Sequence, residues 1–560
     1  MGTSATIPPM SPETATPQTS RTAGALGILL LGAALVAGAW LLPVQIRSLS
    51  PLLLREAGAG SVSLVESGER FLESERPGPA TLIRDAAVAL ELPGAEALDS
   101  KLRSLAEERP ELAAWGAWDP FLEPVFGASA GAAPASGERG ALIRFLPGSA
   151  RSSIKGYLAN TRSVAVKAIV ANASLDKSSR FIPAGRAGGQ PLEATILLAA
   201  MLMQGNHLSP ELARELRAMA EAANRDSDLA PIEEFYFDLL SVGRRLDWGQ
   251  LTEWLRSCPS AATLGEFAHL LKVAQDRTAV LYSASVVSGM PREVTRYAMA
   301  FGSTGVDGIA ESLRHGDGAV RQLLLRQVPV NPDVPMALEF LAGLSLRYSL
   351  LLTIAKYLGF AAGVWLAFRG LDRALMGPVG RGAGRMLMHA RGGVIALVFS
   401  GILFILSEPF LLRGNPPPDY KIIVSIPALN TLGQLQASPS AAASIDSSTI
   451  ITVVFFAALQ VLVYLICLMK IREVERRDAP ILLKLRLMEN EENLFDSGLY
   501  IGIGGTATAL VLQVLGIIDP NLLAAYSSNL FGITCVALVK ILHVRPYKRA
   551  LILRAEQKSG

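Results

Sequence analysis

Six stretches of mostly apolar residues divide the chain, and each is close to the length that crosses a lipid bilayer. About 20 apolar residues span the hydrocarbon core as an α-helix, because a helix satisfies its own backbone hydrogen-bonding groups. The stretches are residues 23–43, 349–368, 393–412, 449–469, 499–518 and 522–542. The second stretch contains one charged residue, Lys356, which we expect to snorkel or to pair inside a helix bundle. The pattern predicts six transmembrane helices.

Basic residues between these stretches predict how the chain is threaded. The basic segments are a loop with five arginines at 369–392, a charged helix at 470–498 and a tail at 543–560. The alternate segments are poor in basic residues, with only two in residues 413–448. Basic residues in short loops mark the cytoplasmic side. We therefore predict cytoplasmic termini and a periplasmic domain at residues 44–348, in a bacterial-type inner (plasma) membrane.

The first stretch favours an uncleaved signal anchor over a cleaved signal peptide. The segment before it, residues 1–22, is long for the n-region of a signal peptide, and its one basic residue is Arg21. This segment is rich in Ser, Thr and Pro, so we predict a disordered cytoplasmic tail. Residues Ala37, Gly38 and Ala39 resemble a cleavage site, and cleavage is the alternative. The large domain lies outside in either case.

Residues 44–348 contain a series of short amphipathic helices. From Leu246 onward, apolar residues recur at helical spacing in short segments that Gly or Pro separates. Ser209 and Pro210 fit the N-cap and the first position of one predicted helix. Helices this short bury their apolar faces by stacking, so we predict an all-α domain, with an irregular arrangement favoured over a regular repeat. A small-residue stretch at 127–140 is the predicted internal boundary.

The composition favours a membrane protein and excludes one class of binding partner. Hydrophobic residues make up 50% of the 560 residues and charged residues make up 18%, whereas soluble proteins contain about 25% charged residues. The 52 basic and 49 acidic side chains nearly balance, and a net charge of +3 excludes a general nucleic-acid binder. The expected partners are the lipid bilayer and other proteins in the membrane or the periplasm.

No catalytic, cofactor-binding or metal-binding motif is recognisable in the sequence. The three cysteines, Cys258, Cys467 and Cys535, are interpreted as isolated structural thiols. The five histidines match no zinc motif. The acidic pair Glu233 and Glu234 is interpreted as the solvated face of a helix. We therefore expect a protein that is not an enzyme and needs no cofactor.

Polar residues inside the last two stretches have two interpretations. Thr506 and Gln513 are seven residues apart and share a helix face, and Ser528 and Asn529 lie in the following stretch. Glycine one turn before Thr506 gives a spacing that lets helices pack closely. These side chains either hold the helices together or line a polar pathway for an ion or a proton. The cores of the stretches contain no Asp or Glu, and Glu408 lies near the outer end of the third, so a proton pathway needs an acidic residue from a partner helix.

The last two apolar stretches contain two short motifs, IGIGGT at 501–506 and AYSSNLFGI at 525–533. With these motifs, residues 449–545 resemble the three-helix core of the MotA/TolQ/ExbB proton-channel family, which has a GLLGT-type motif at the first position and an ALxTTxxGL-type motif at the second. The resemblance implies a pore that forms between subunits, with a homo-oligomer as one expected arrangement and the pore carboxylate on a separate partner subunit. The residues that it assigns to the pore are Thr506, Ser528 and Asn529.

Three functions are compatible with this organisation. The favoured one is a non-catalytic envelope scaffold or sensor whose periplasmic helical domain binds a protein or a peptide. The second is an ion-channel subunit of an energy-transducing complex, as the resemblance implies. The third is a permease or mechanotransmission subunit that looks like MacB or FtsX, because one span, a large outer domain and three further spans are the layout of that group.

Overall fold

The computed structural model of the chain describes residues 18–126, 140–331, 339–376, 383–408, 447–514 and 522–559. These residues form helices and connecting turns, and no strand occurs among them. The predicted all-α fold class is therefore confirmed for the described residues. Most of the predicted tail, at 1–17, and most of the predicted boundary, at 127–139, lie outside them.

One apolar helix and a series of mostly short helices form the N-terminal part. They are α1 Gln18–Trp40, α2 Pro51–Gly58, α3 Leu64–Glu73, α4 Pro77–Ala89, α5 Ala95–Glu108, α6 Pro110–Trp115, α7 Glu123–Phe126, α8 Ala141–Phe145, α9 Gly148–Ala159, α10 Val164–Ala171, α11 Gln190–Gln204, α12 Pro210–Asp226, α13 Ala230–Gly243, α14 Trp248–Ser257, α15 Ala261–Val273, α16 Thr278–Ser288, α17 Pro291–Leu313, α18 Asp317–Arg326 and α19 Ala342–Arg347. Pro210 begins α12, and the Oγ of Ser209 accepts a hydrogen bond from the N–H of Leu212 at 3.1 Å. The predicted helix start is therefore confirmed, because it depends only on neighbouring residues.

Longer apolar helices form most of the remaining chain. They are α20 Ser349–Met376, α21 Ala383–Ser407, α22 Ser447–Arg476, α23 Ile481–Asn490, α24 Glu492–Phe495, α25 Ser497–Val514, α26 Leu522–Leu538 and α27 Arg545–Ser559. A π-helical turn at Val539–Val544 joins α26 to α27 without a break. Among the described residues, the helices long and apolar enough to cross a membrane are Ser349–Leu371, Phe455–Arg476 and Tyr526–Glu556.

The structure thus supports a membrane protein with three candidate spans. Gly24–Trp40 is a shorter apolar helix within α1. The third and fifth predicted stretches end at 409–412 and 515–518, which lie outside the described residues. The number six stays a prediction.

One hydrophobic core connects helices α2 to α19, which together are called the helical domain below. The largest fully buried side chains of this core include Trp248, Trp254, Tyr236 and Tyr282. Trp254 stacks on Phe267 with ring centres 4.2 Å apart. Burying a large apolar side chain contributes about 2–3 kcal/mol. Because the short helices share this core, the apolar face of each is covered by its neighbours.

The segment that leads into α2 is paired with the segment that follows α18. The N–H of Leu49 donates to the carbonyl oxygen of Pro329 at 2.9 Å, and the carbonyl oxygen of Leu49 accepts from the N–H of Asn331 at 2.9 Å. The entry of the chain into the helical domain is therefore tied to the backbone after α18.

Glycines bring α1 and α20 into close antiparallel contact. A Cβ at Gly32 would lie 2.6 Å from the carbonyl oxygen of Gly363, so the two backbones touch at these positions. Gly370, further along α20, meets Leu29, which lies earlier in α1: a Cβ there would lie 2.7 Å from the Leu29 nitrogen. The reversed order shows that the helices are antiparallel. The end of α1 and the start of α20 therefore lie on the same side, where the helical domain is attached.

Substitution of Gly32 by alanine tests this contact. The added methyl group has to push α1 and α20 apart, and we expect a loss of about 1–3 kcal/mol in unfolding free energy. Gly38→Ala on the same helix is the control, because a Cβ there meets no atom within 4 Å. Thermal unfolding of the detergent-solubilised protein measures both variants. A Gly32→Ala protein as stable as Gly38→Ala would contradict the close contact.

Candidate functional site at the junction of the helical domain and the apolar helices

Glu408 directly follows α21, and its side chain is completely buried, with 0% exposure. Its Oε1 accepts a hydrogen bond from the N–H of Ile46 at 2.7 Å, and its Oε2 accepts one from the N–H of Arg47 at 3.3 Å. The hydroxyl of Tyr357 on α20 donates a third bond to Oε1. A buried carboxylate needs such donors because it has lost its hydration. This one side chain joins the end of α21, the first third of α20 and the segment that leads from α1 into the helical domain.

Lys356 precedes Tyr357 on α20 and is also buried, with 3% exposure. Its Nζ donates a hydrogen bond to the carbonyl oxygen of Val44 at 2.7 Å. The opposite charges of Lys356 and Glu408 attract each other within the junction, which lowers the cost of burying both. The two side chains therefore hold residues 44–47 from two sides.

Aromatic rings and a small pocket surround these charges. The pocket lies between the end of α1, α20 and α21, and side chains that line it include Trp40, Pro43, Gln45, Lys356 and Ser407. The ring of Tyr357 packs edge-on against Phe404 at 4.7 Å between ring centres. Apolar surroundings strengthen electrostatic interactions by lowering the local dielectric constant. The arrangement is suited to hold the segment in a fixed position.

The sequence gives a partial signal for this site. It predicts that Lys356 snorkels or pairs, and the structure shows that it pairs with a backbone carbonyl group. It places Glu408 near the end of an apolar stretch without indicating any partner. A single acid and a single base in otherwise uncharged stretches are the signal that points to the junction.

Two of the predicted polar residues of the last two apolar helices, Thr506 and Ser528, meet where α25 crosses α26. The Oγ1 of Thr506 donates to the carbonyl oxygen of Gly502 at 3.1 Å, and the Oγ of Ser528 donates to the same oxygen at 3.2 Å. The structure thus brings Thr506 and Ser528 together at one carbonyl group. Asn529 follows Ser528 on α26. Gln513 lies near the end of α25, and its side chain is outside the described residues.

Two buried amide groups near this crossing have unused hydrogen-bonding capacity. The Nε2 of Gln460 on α22 donates to the carbonyl oxygen of Gly498 at 3.0 Å. Within the described part of the chain, no hydrogen-bond donor reaches Gln460 Oε1 or Asn529 Oδ1. The helices approach closely here, since a Cβ at Gly532 would lie 2.5 Å from the oxygen of Gly498. The role of these residues in a polar pathway stays a prediction.

A second buried polar cluster lies inside the helical domain. The Nε2 of His207 lies 2.6 Å from the Oδ2 of Asp119, and the Nε1 of Trp248 donates to the same oxygen at 2.8 Å. The N–H of Phe121 donates to Oδ1 at 2.8 Å. Burial alone would raise the pKa of Asp119, but His207 and these donors outweigh burial and leave the pKa below its usual value. The cluster links the turn before α7, the turn after α11 and the start of α14.

Glu233 corrects a sequence prediction. Glu234 is exposed as expected, whereas Glu233 is buried. The carboxylate of Glu233 accepts bonds from the N–H and the Oγ of Ser179, each at 2.6 Å. Burial alone would raise the pKa of Glu233, but bonds from Ser178 and Ser179 leave it below its usual value. The solvated-face interpretation fails because neighbouring residues on a helix point about 100° apart.

The cysteines and the acidic residues do not assemble a recognisable metal site in the part of the chain that the structure describes. The thiols of Cys258, Cys467 and Cys535 are free and buried. Burial raises the pKa of Cys258 to about 12, so this thiol stays protonated near neutral pH.

Asp238 on α13 gives the helical domain a testable pH dependence. Burial, with repulsion from Glu234, raises the pKa of Asp238 to about 7. Between about pH 4 and 7 the unfolded chain releases this proton and the folded chain keeps it, so stability falls as the pH rises through this range. Asp238→Asn should therefore stabilise the protein by about 1–2 kcal/mol above pH 7, allowing for partial solvent screening, and have little effect at pH 4.

The measurement is thermal unfolding of both proteins at pH 4, 5.5 and 7.5, since a proton-linked effect has to grow across this series. Asp276→Asn is the matched control, because the side chain of Asp276 is 80% exposed. A stability gain for Asp238→Asn that is the same at all three pH values would contradict a raised pKa.

No family model matches the sequence, no curated protein is significantly similar to it, and no solved structure matches the fold.

Proposed function

We propose that this chain is a multi-pass protein of a bacterial-type inner membrane and acts as a non-catalytic scaffold or sensor. In this proposal six helices cross the membrane and both termini are cytoplasmic. The helical domain lies in the periplasm, where it binds a protein or peptide partner. The apolar helices anchor the domain and respond to its state.

The contacts of Glu408 and Lys356 are the observation that carries this proposal. Both side chains are buried, and both bind the backbone of residues 44–47. Displacement of this segment relative to α20 and α21 would leave a carboxylate and an ammonium group without partners, which is costly in a buried site. The helical domain and the apolar helices are therefore expected to move together, as a scaffold or a sensor requires.

Charge at the opposite end of α20 supports the orientation. Because α1 and α20 are antiparallel, the helical domain is attached at one end of the pair, and Arg369 and Arg373 lie toward the other end. The guanidinium carbon of Arg369 lies 4.9 Å from the ring centre of Trp365, and such aromatic and basic residues favour membrane interfaces. The positive-inside rule then puts this end in the cytoplasm and the helical domain outside.

The second candidate function is an ion-channel subunit similar to the MotA/TolQ/ExbB family. The buried amide oxygens of Gln460 and Asn529, for which the described residues supply no donor, favour this candidate. Such groups gain partners from an ion, from water or from a second subunit. A purified protein with several copies per complex would support this candidate, and a monomer would contradict it.

Labelling with a membrane-impermeant maleimide tests the orientation. Val164 at the start of α10 and Arg549 on α27 are both exposed. We expect Val164→Cys to react in intact spheroplasts and Arg549→Cys to react only after lysis. The native cysteines are buried, so the background is low. Reaction of Arg549→Cys in intact spheroplasts, with Val164→Cys protected, would contradict the orientation.

Hydrogen exchange in the Glu408→Ala protein tests the mechanical coupling. The amides of Ile46 and Arg47 lose their acceptor, and we expect them to exchange at least about tenfold faster. If the junction transmits displacement, we also expect faster exchange of the amides of Leu49 and Asn331, which pair the entry of the helical domain with the segment after α18.

Glu234→Ala, which removes an exposed carboxylate, is the control for this experiment. Faster exchange confined to residues 46 and 47, with Leu49 and Asn331 unchanged, would show that Glu408 stabilises only the segment to which it is bonded. That result would contradict the sensor proposal and leave the anchoring of the helical domain intact.

A further inference from the structure

A stripe of exposed apolar side chains lies between the helical domain and α20. Phe340 is 77% exposed, Leu344 is 46% exposed and Tyr348 is 44% exposed. Phe340 lies in the short 3-10 turn Glu339–Leu341, Leu344 lies in α19 and Tyr348 directly follows α19, so exposed apolar side chains recur every four residues along this segment. A group of large exposed apolar side chains marks a surface that contacts a lipid bilayer or another protein.

The opposite face of α19 belongs to the helical domain. Ala342 and Ser345 are buried, and α19 packs against α2. A Cβ at Gly343 would lie 2.8 Å from the Oε1 of Glu56 on α2, so the two helices are in close contact. The orientation of α19 is therefore fixed by the helical domain, and the exposed stripe points away from it.

The stripe continues directly into a candidate membrane span. That span begins at Ser349, one residue after Tyr348. Its exposed side chains include Leu351, Ile354 and Leu358. If these side chains contact lipid, an apolar stripe that joins them lies at the depth where the bilayer meets water.

The residues that flank the stripe fit this boundary. Arg347 is exposed, and its guanidinium carbon lies 5.5 Å from the ring centre of Tyr348. An arginine beside a tyrosine at the end of a span is typical of the headgroup region, because each has an apolar body and a polar tip. Trp40, at the end of α1, lies at the same end of the antiparallel helix pair.

We propose that α19 is an interfacial helix, with Phe340, Leu344 and Tyr348 inserted into the lipid leaflet that faces the helical domain. The partner of this surface is the boundary between acyl chains and headgroups, rather than another protein. The proposal uses one part of the proposed function, namely that α20 crosses a membrane. It adds that the base of the helical domain is held against the bilayer surface.

The experiment places a fluorophore at single cysteines of the full chain in nanodiscs of phosphatidylethanolamine and phosphatidylglycerol. The variants are Phe340→Cys, Leu344→Cys, Leu358→Cys and Val164→Cys, each labelled with an environment-sensitive NBD group. Leu358→Cys reports the span, and Val164→Cys is an exposed position of the helical domain far from α19 in sequence. Lipids with a doxyl quencher near the headgroup measure contact with the leaflet.

We expect the labels at 340 and 344 to be quenched several-fold more than the label at 164, with emission shifted to the blue. Quenching at 358 but not at 340 or 344 would overturn the interfacial helix while the span is retained. Quenching at none of these positions would overturn both the interfacial helix and the membrane placement of α20. Because all labelled side chains are exposed, the substitutions leave the hydrophobic core intact.

Discussion

A buried carboxylate at the edge of a set of apolar helices has to find its hydrogen-bond donors within the protein. Glu408 finds them in the backbone of Ile46 and Arg47 and in the hydroxyl of Tyr357. These donors belong to segments far apart in the sequence, so the bonds form only when the exit from α1, the first third of α20 and the end of α21 are in register. The cost of leaving any of these groups unpaired fixes the position of the helical domain on the helices.

The contacts on either side of this junction act in the same direction. On the side of the apolar helices, the backbones of α1 and α20 touch at Gly32 and Gly363, and sliding one helix along the other would bring larger residues into the contact. On the side of the helical domain, the backbone of Leu49 forms hydrogen bonds with residues 329–331. The segment between Leu41 and Ser48 lies between these two contacts, and Glu408 and Lys356 bind the backbone near its centre. We therefore expect that a displacement of the helical domain would move α20 and α21 with it.

The sequence predicts features that depend on neighbouring residues and misses those that depend on distant ones. The helical class follows from apolar spacing, and the start of α12 follows from Ser209 and Pro210, because the cap and the first turn lie within a few residues. The bond between Ile46 and Glu408 joins residues that are 362 positions apart, and no local pattern contains it. The solvated-face interpretation of Glu233 fails for the same reason, because its partner Ser179 lies 54 positions away.

The crossing of α25 and α26 shows why residue types alone do not decide between packing and conduction. The hydroxyls of Thr506 and Ser528 both donate to the oxygen of Gly502, so their donor capacity is used within the chain. A proton relay through either hydroxyl would have to break these bonds. No hydrogen-bond donor among the described residues reaches the amide oxygens of Gln460 and Asn529. Any polar pathway through this bundle is therefore expected to depend on these two amide oxygens more than on the two hydroxyls.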